Sequence, residues 1–408
     1  MKRISGSGFT GLKAGCRKLC FATMLLAGGA DAATLDITMQ FKADIYAPAE
    51  NEFKNTTPVS GYCMYYPINC AKGEFSILIP GLSAVKTFEK ASPEIKNHTY
   101  IAIDGRIKHV TLTNTKTGET TTAEFRWAFI GMTYNRLSSW QNIIDAMNGS
   151  GYFIKGDCSG RRGMFGDNFY DIAWSIYEKQ AVCYRRLNYD SADGKIKVKD
   201  FSIGYVIKTP KPLELPAGEY EGEVVYTVGD GMDVDVGAQS YSDNEVRIRI
   251  RATVEHAFYL HFPRGSENVQ LSPPDGWSAW INGGMIPQRL SREVPFTLTS
   301  SGSFKVSMQC QYAAGQGCGL QNPASGETVP LDVRMTVPGL TSGRQPVHNM
   351  LLNTDTAGQI IDNSGWFAVD LRSKLDFVVN RPEVEKMVKA PGSDWKGVVT
   401  LIFDSDVR

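Results

Sequence analysis

The chain has 408 residues, and its 43 lysines and arginines are balanced by 43 aspartates and glutamates. That balance leaves no basic field to gather nucleic acid. The length suggests two or three domains, and no run approaches the roughly 20 apolar residues of a membrane-spanning helix.

The first residues read as a targeting segment. Lys2, Arg3, Lys13, Arg17 and Lys18 form a basic head, "LCFATMLLAGGA" is a short apolar core, and Ala30-Asp31-Ala32 offers small residues where a signal peptidase reads. This predicts a secretory signal peptide over residues 1–32, cut after Ala32. A membrane anchor is the competing reading, and the short apolar run argues against it. No cysteine stands immediately after the cut, so a lipid anchor is not expected. The expected product is an exported, soluble chain.

Of the eight cysteines, Cys16 and Cys20 fall in the leader. The other six are Cys63, Cys70, Cys158, Cys183, Cys310 and Cys318. An even set in an exported chain implies disulfides, with 15 formal connectivities. The sequence-local pairing is expected because short loops cost least to close. Zinc is disfavoured: no C-x-x-C spacing occurs, and no histidine lies beside any pair.

Period two then dominates the chain. "LDITMQFKADIYAP" puts Leu35, Ile37, Met39, Phe41, Ala43 and Ile45 on one face. "HVTLTNTKTGETTTAEFRWAF" reads as a hairpin turning at Gly118, and "EVRIRIRATVEHAFYLHF" and "VPLDVRMTV" alternate as well. Alternation with turn residues every ten or so positions predicts an all-β chain of sandwiches. "LSSWQNIIDAM" and "NFYDIAWSIYEK" break the pattern, and short helices or turns are expected there.

An internal repeat organises the rest. "LPAGEYEGEVVYTV" matches "KAPGSDWKGVVTLIF", so Tyr220 corresponds to Trp395, Gly222 to Gly397 and Val224 to Val399. One copy near the end of each of two domains is the natural reading. The boundary is expected near Thr253, giving domains 33–253 and 254–408. The first copy is followed by "GDGMD" and a long alternating strand that can complete its sheet. The second is followed only by Asp404 to Arg408. A strand edge left beside an apolar groove invites a strand from another chain.

These residues resemble a known family. A self-complete β-domain followed by one ending in G-x-W/Y-x-G-x-V-x-L-x-F is similar to the two-domain tip adhesins of chaperone–usher fimbriae. The likeness is to the class 5 minor subunits, the colonisation-factor tip adhesins and the cable-pilus initiator. It extends to the early cysteine pair in "YCMYYPINCAKG", to Cys158 and Cys183 ahead of "GYVIKTPKPLELPAGEYEGEVVYTV", and to "AFYLHFPRG" as a domain-opening strand. The resemblance implies two tandem immunoglobulin-like β-sandwiches, the second an incomplete pilin-type domain with Val399, Leu401 and Phe403 lining the acceptor groove. It implies a periplasmic pilus chaperone, an outer-membrane usher and a major pilin subunit as partners. It also implies display at the fimbrial tip on the cell surface and a host glycan or glycoprotein receptor. A tip position is expected because "TLDITMQF" begins a strand almost at the cut site. The alternative is that this strand is itself a donor extension. One departure matters. Basic receptor residues of the colonisation-factor adhesins follow the first G-x-V strand, where this chain has the acidic "GDGMDVDVG", so that receptor chemistry is not carried over.

A receptor site in the first domain needs aromatics and polar groups. Arg161, Arg162, Arg185 and Arg186 surround Cys158 and Cys183, and a bridge there would present them to an anionic receptor such as a sialylated glycan. Trp140 and Tyr184 are the aromatic candidates beside them. The bland alternatives are loop arginines with local acidic partners and core roles for Trp127, Trp140 and Trp174. Asp230, Asp233 and Asp235 read as a charged turn before they read as calcium ligands. His256 and His261 sit an odd number apart on one expected strand, hence on opposite faces. "GDCSG" lacks the G-x-S-x-G elbow. The expectation is a non-enzymatic protein without cofactor, metal or nucleic-acid partner. A secreted β-sandwich lectin or carbohydrate-active enzyme is the alternative, and a carboxylate pair would mark the enzyme.

Overall fold

The computed structural model describes residues 33–47, 51–89, 92–137, 154–166, 168–186, 194–363 and 365–405. The expected signal peptide, nearly all of "LSSWQNIIDAM" and Trp140 lie outside the described residues. The chain is all-β, as its alternation predicts.

The first half of the chain is built from twelve strands that matter for the sites: β1 (Ala33–Lys42), β2 (Phe75–Leu78), β3 (Ala84–Phe88), β4 (Thr99–Asp104), β5 (Lys108–Asn114), β6 (Thr120–Arg136), β7 (Cys158–Arg161), β8 (Phe169–Ile176), β9 (Gln180–Arg185), β10 (Gly194–Lys208), β11 (Gly218–Thr227) and β12 (Glu245–Glu255). The main sheet runs β3-β10-β6-β5-β11-β12-β1, with β2 on β10 and β8 between β6 and β7. The smaller sheet is centred on β4 and β9. The β5–β6 hairpin turns as predicted, with Gly118 at φ 74, a left-handed conformation that suits glycine.

β1 alternates as read, with Leu35, Ile37, Met39 and Phe41 buried. It pairs in parallel with β12, whose Val246, Ile248, Ile250, Ala252 and Val254 are buried. β12 also pairs antiparallel with β11 along its length. Its outward arginines then meet acids on both neighbours: Arg249 bonds Asp36, Arg251 bonds Glu221 and Arg247 bonds Glu223.

The helical or turn expectation for "NFYDIAWSIYEK" is wrong. Phe169–Ile176 is a strand, paired with β6 on one side and β7 on the other. Ile172, Trp174 and Ile176 point inward at period two, and the two neighbouring ladders decide the conformation.

The second half comprises β13 (Phe258–His261), β14 (Arg289–Ser300), β15 (Phe304–Cys310), β16 (Gly317–Gln321), β17 (Thr328–Thr336), β18 (Gln359–Ile361), β19 (Ala368–Asn380), helix α1 (Arg381–Val388) and β20 (Val399–Asp404). One sheet runs β13-β14-β19-β17-β16 and the other β18-β15-β20. Phe296 of β14 meets Phe403 of β20 at 6.1 Å between ring centroids, packing one sheet on the other. His256 lies just past the end of β12 and His261 ends β13, so the two are not on one strand as expected.

The halves have separate cores. In the first, buried apolar side chains far outnumber the half-buried ones packed against them. In the second the two classes are nearly equal, and Val399, Leu401, Phe403, Val269 and Leu271 are among the half-buried.

Candidate functional site

The repeated segment occupies equivalent places in the two halves. Tyr220 is buried and its hydroxyl donates to the Pro216 carbonyl at 2.9 Å, the corner bond of immunoglobulin-like sandwiches. Trp395 substitutes an indole, whose Nε1 donates to Ser393 Oγ at 2.7 Å. Both glycines exist to let a neighbouring strand pass. A Cβ on Gly222 would lie 2.4 Å from the Thr111 carbonyl, and one on Gly397 would lie 2.7 Å from the Gly319 carbonyl.

The difference is on the far edge. β11 is completed by the chain's own β12, which sets Ile250 opposite Gly222, Ile248 opposite Val224 and Val246 opposite Tyr226. β20 pairs only with β15, with Cys310 opposite Val399, Met308 opposite Leu401 and Val306 opposite Phe403. Among the described residues no strand covers its other edge. Val399, Leu401 and Phe403 face the second core but stay half-buried, and Val398 is 62% exposed. At the start of β20 lies a groove of about 920 Å³. Val269, Leu271, Trp277, Phe377, Met387 and Val399 line it.

The arginine cluster separates into distinct environments. The three disulfides are Cys63–Cys70, Cys158–Cys183 and Cys310–Cys318. The second ties β7 to β9. Arg161 on β7 bonds Glu74 through both terminal nitrogens, donates to the Asn69 carbonyl at 2.7 Å, and lies 4.2 Å over the Phe129 ring. Burial alone would raise the Glu74 carboxyl, but Arg161 outweighs it and holds the carboxyl below its ordinary range. Arg162 is exposed, and its carbonyl accepts the Tyr62 hydroxyl at 2.6 Å. Arg186 lies 6.0 Å over the Tyr184 ring and donates to the Ser92 carbonyl at 3.5 Å. Arg185 ends β9 and donates to the Tyr170 hydroxyl at 3.5 Å, while its Nε is buried without a partner. Trp127 and Trp174 are core residues.

Arg161 and Arg185 share a cavity of about 280 Å³ with Phe165, Tyr170, Asp171 and Trp174. Asp171 also borders a second cavity of about 290 Å³, lined by Tyr62, Tyr65, Tyr66 and Met164. The Asp171 carboxylate accepts the Tyr66 hydroxyl at 2.9 Å and the Thr133 hydroxyl at 2.8 Å. Burial, then the Asp171 carboxylate, push the Tyr66 hydroxyl up to about 12. The sequence reading missed these tyrosines and Asp171. The stretch "YCMYYPINC", three tyrosines at and within a tight disulfide, was the available signal.

The acidic "GDGMDVDVG" is internally satisfied. Asp235 is fully buried and accepts the Gly231 and Gly237 amides, Lys96 Nζ and the Tyr241 hydroxyl. Burial would raise its carboxyl, and those donors together hold it below the ordinary range. Lys96 also pairs with Asp230, and Lys108 reaches Asp233 at 3.4 Å. This is a charged turn. Among the described residues no group of three or more His, Cys, Asp or Glu side chains is placed to hold a metal ion.

No family model and no curated protein matches the chain. Three solved structures to which it is similar contain fimbrial tip adhesins. One is a chaperone–tip adhesin complex of CFA/I fimbriae, at 11% identity over 92% of this chain and 96% of that one, with a TM-score of 0.25. A second is a mutant of the CFA/I adhesin CfaE of enterotoxigenic E. coli, at 10% identity over 91% and 92%, with a TM-score of 0.26. A third is the CsuC–CsuE chaperone–tip subunit pre-assembly complex of the archaic Csu pili of Acinetobacter baumannii, at 10% identity over 91% and 98%, with a TM-score of 0.21.

Proposed function

We propose that this chain is a fimbrial tip subunit, with residues 33–253 as its receptor-binding domain and residues 254–408 as a pilin domain completed by a strand from another polypeptide. The observation that carries this is the contrast between β11 and β20. The repeated sequence places an aromatic and a close glycine crossing at matching positions in both halves. In the first half the far edge is filled by β12. In the second, no strand of this chain lies on that edge among the described residues, and the groove at the start of β20 is lined in part by Val269, Leu271, Phe377 and Val399. An open edge beside apolar side chains is an aggregation hazard unless covered, and strand addition covers both the amides and the groove. The occupant has a template in this molecule: a strand antiparallel to β20 with alternating apolar residues, as β12 presents Val246, Ile248 and Ile250 to β11. In the fimbrial pathway a periplasmic chaperone would supply it first, and a neighbouring subunit would replace it at the outer-membrane usher.

The test is complementation. The chain expressed alone should be poorly soluble or recovered with a chaperone. A copy of Glu245–Glu255 joined after Arg408 by a short flexible linker should yield a monomer with raised Tm and amide-exchange protection across β20. If the unextended chain is already a stable monomer with β20 protected on both edges, the proposal fails.

A further inference from the structure

We infer that the cavity beside Arg185 takes the carboxylate of an acidic sugar. This rests on the receptor-binding reading of the first half and names the ligand class.

The charges in the cavity decide the argument. Arg161 is neutralised by Glu74 and held further by the Asn69 carbonyl and Ser175 Oγ. Both oxygens of Asp171 are taken by Tyr66 and Thr133. Arg185 differs: its partner among the described residues is one neutral hydroxyl at 3.5 Å, and its Nε is buried and unpaired. A buried guanidinium N–H without an acceptor is unfavourable, and a carboxylate met side-on satisfies the Nε edge through two parallel bonds.

The frame around it is fixed. Cys183, two residues before Arg185, is bridged to Cys158. β9 is laddered to β4 on one edge, with Arg185 opposite Thr99, and to Lys155 and Gly156 on the other. A rigid cation suits a small, defined anion better than a long polyanion. The walls are aromatic: the Phe165 and Tyr170 rings stack at 5.9 Å and 14°, and Phe165 is 57% exposed. Ring faces of this kind pack against the apolar face of a sugar. The volume of about 280 Å³ sits at the lower end of ligand pockets, about 300 Å³, which fits one sugar ring.

The test uses the full chain, strand-extended or purified with its chaperone, with 3′-sialyllactose, lactose and oligoglutamate as probes, read by titration calorimetry or saturation-transfer NMR. The expected result is binding of sialyllactose at least tenfold tighter than lactose. Arg185→Gln should erase that preference while leaving any lactose binding, and Arg162→Gln, at an exposed arginine outside the cavity, should leave it intact. If Arg185→Gln does not fold, Arg185→Lys and salt decide: the preference should shrink in Lys and between 50 and 500 mM NaCl. Equal binding of both sugars, an unchanged Arg185→Gln, a salt-independent preference or equally tight oligoglutamate would each overturn the inference. Equal lactose and sialyllactose binding would leave the receptor reading standing, whereas failure of strand complementation would not bear on this cavity.

Discussion

Lys86 shows how far a single residue can depart from its type. It is fully buried, and its Nζ donates to the carbonyls of Lys96 at 2.5 Å, Val236 at 2.7 Å and Gly237 at 3.1 Å. The ammonium thus pins the Val236–Gly237 bend against the loop that carries Lys96. Lys86→Met should leave three carbonyls without a donor and cost about 2–4 kcal/mol, measured by urea unfolding of the strand-extended chain. The sequence held this clue: in "AVKTF" the inward parity of Ala84 and Phe88 puts Lys86 inward too. Its charge argues for the surface, and only the three carbonyls, brought from distant loops, reverse that. Arg161 and Arg185 were legible as a pair flanking a disulfide. Which one is neutralised was not, because Glu74 and Asn69 come from far along the chain.

At the level of elements, the repeat was the most readable feature. Its aromatic and glycine fall within β11 as Tyr220 and Gly222 and just before β20 as Trp395 and Gly397, and its alternation reappears in both strands. Gly222→Ala tests the close crossing: its Cβ would sit 2.4 Å from the Thr111 carbonyl and 2.8 Å from Leu112 Cδ2. It should cost about 1–3 kcal/mol, in the range of core overpacking, and lower Tm by several degrees in a thermal scan. β8 was unreadable as a strand because Phe169, Tyr170, Ile172 and Trp174 mix two spacings. Its pairing with β6 and β7 depends on contacts no local window contains. The long run from Glu245 to Phe262 read as one strand, yet it breaks at His256 and Ala257, where backbone bonds pass to Ser301.

Across the whole molecule, His256 joins the two halves. Its Nε2 donates to the Leu215 carbonyl at 2.7 Å and its Nδ1 accepts from Ser301 Oγ at 3.0 Å. Burial lowers its pKa below the ordinary value, against the bonds to Leu215 and Ser301. The folded state therefore binds a proton less readily than the unfolded one. Stability is unaffected above about pH 6.5 and declines as pH falls below it. Urea midpoints of the strand-extended chain should fall between pH 7.5 and pH 5, and His256→Asn should flatten that slope; an unchanged slope would remove His256 from the account.

β12 has a further mechanical consequence. It lies between β1 and β11 and runs directly, through His256, into β13 of the second half. A pull on the second half therefore reaches the first along the axis of β12. Both of its ladders are then loaded in shear, so their hydrogen bonds resist together and do not unzip in turn. A molecule held at one end by its ligand and dragged at the other would transmit tension through its best-anchored strand.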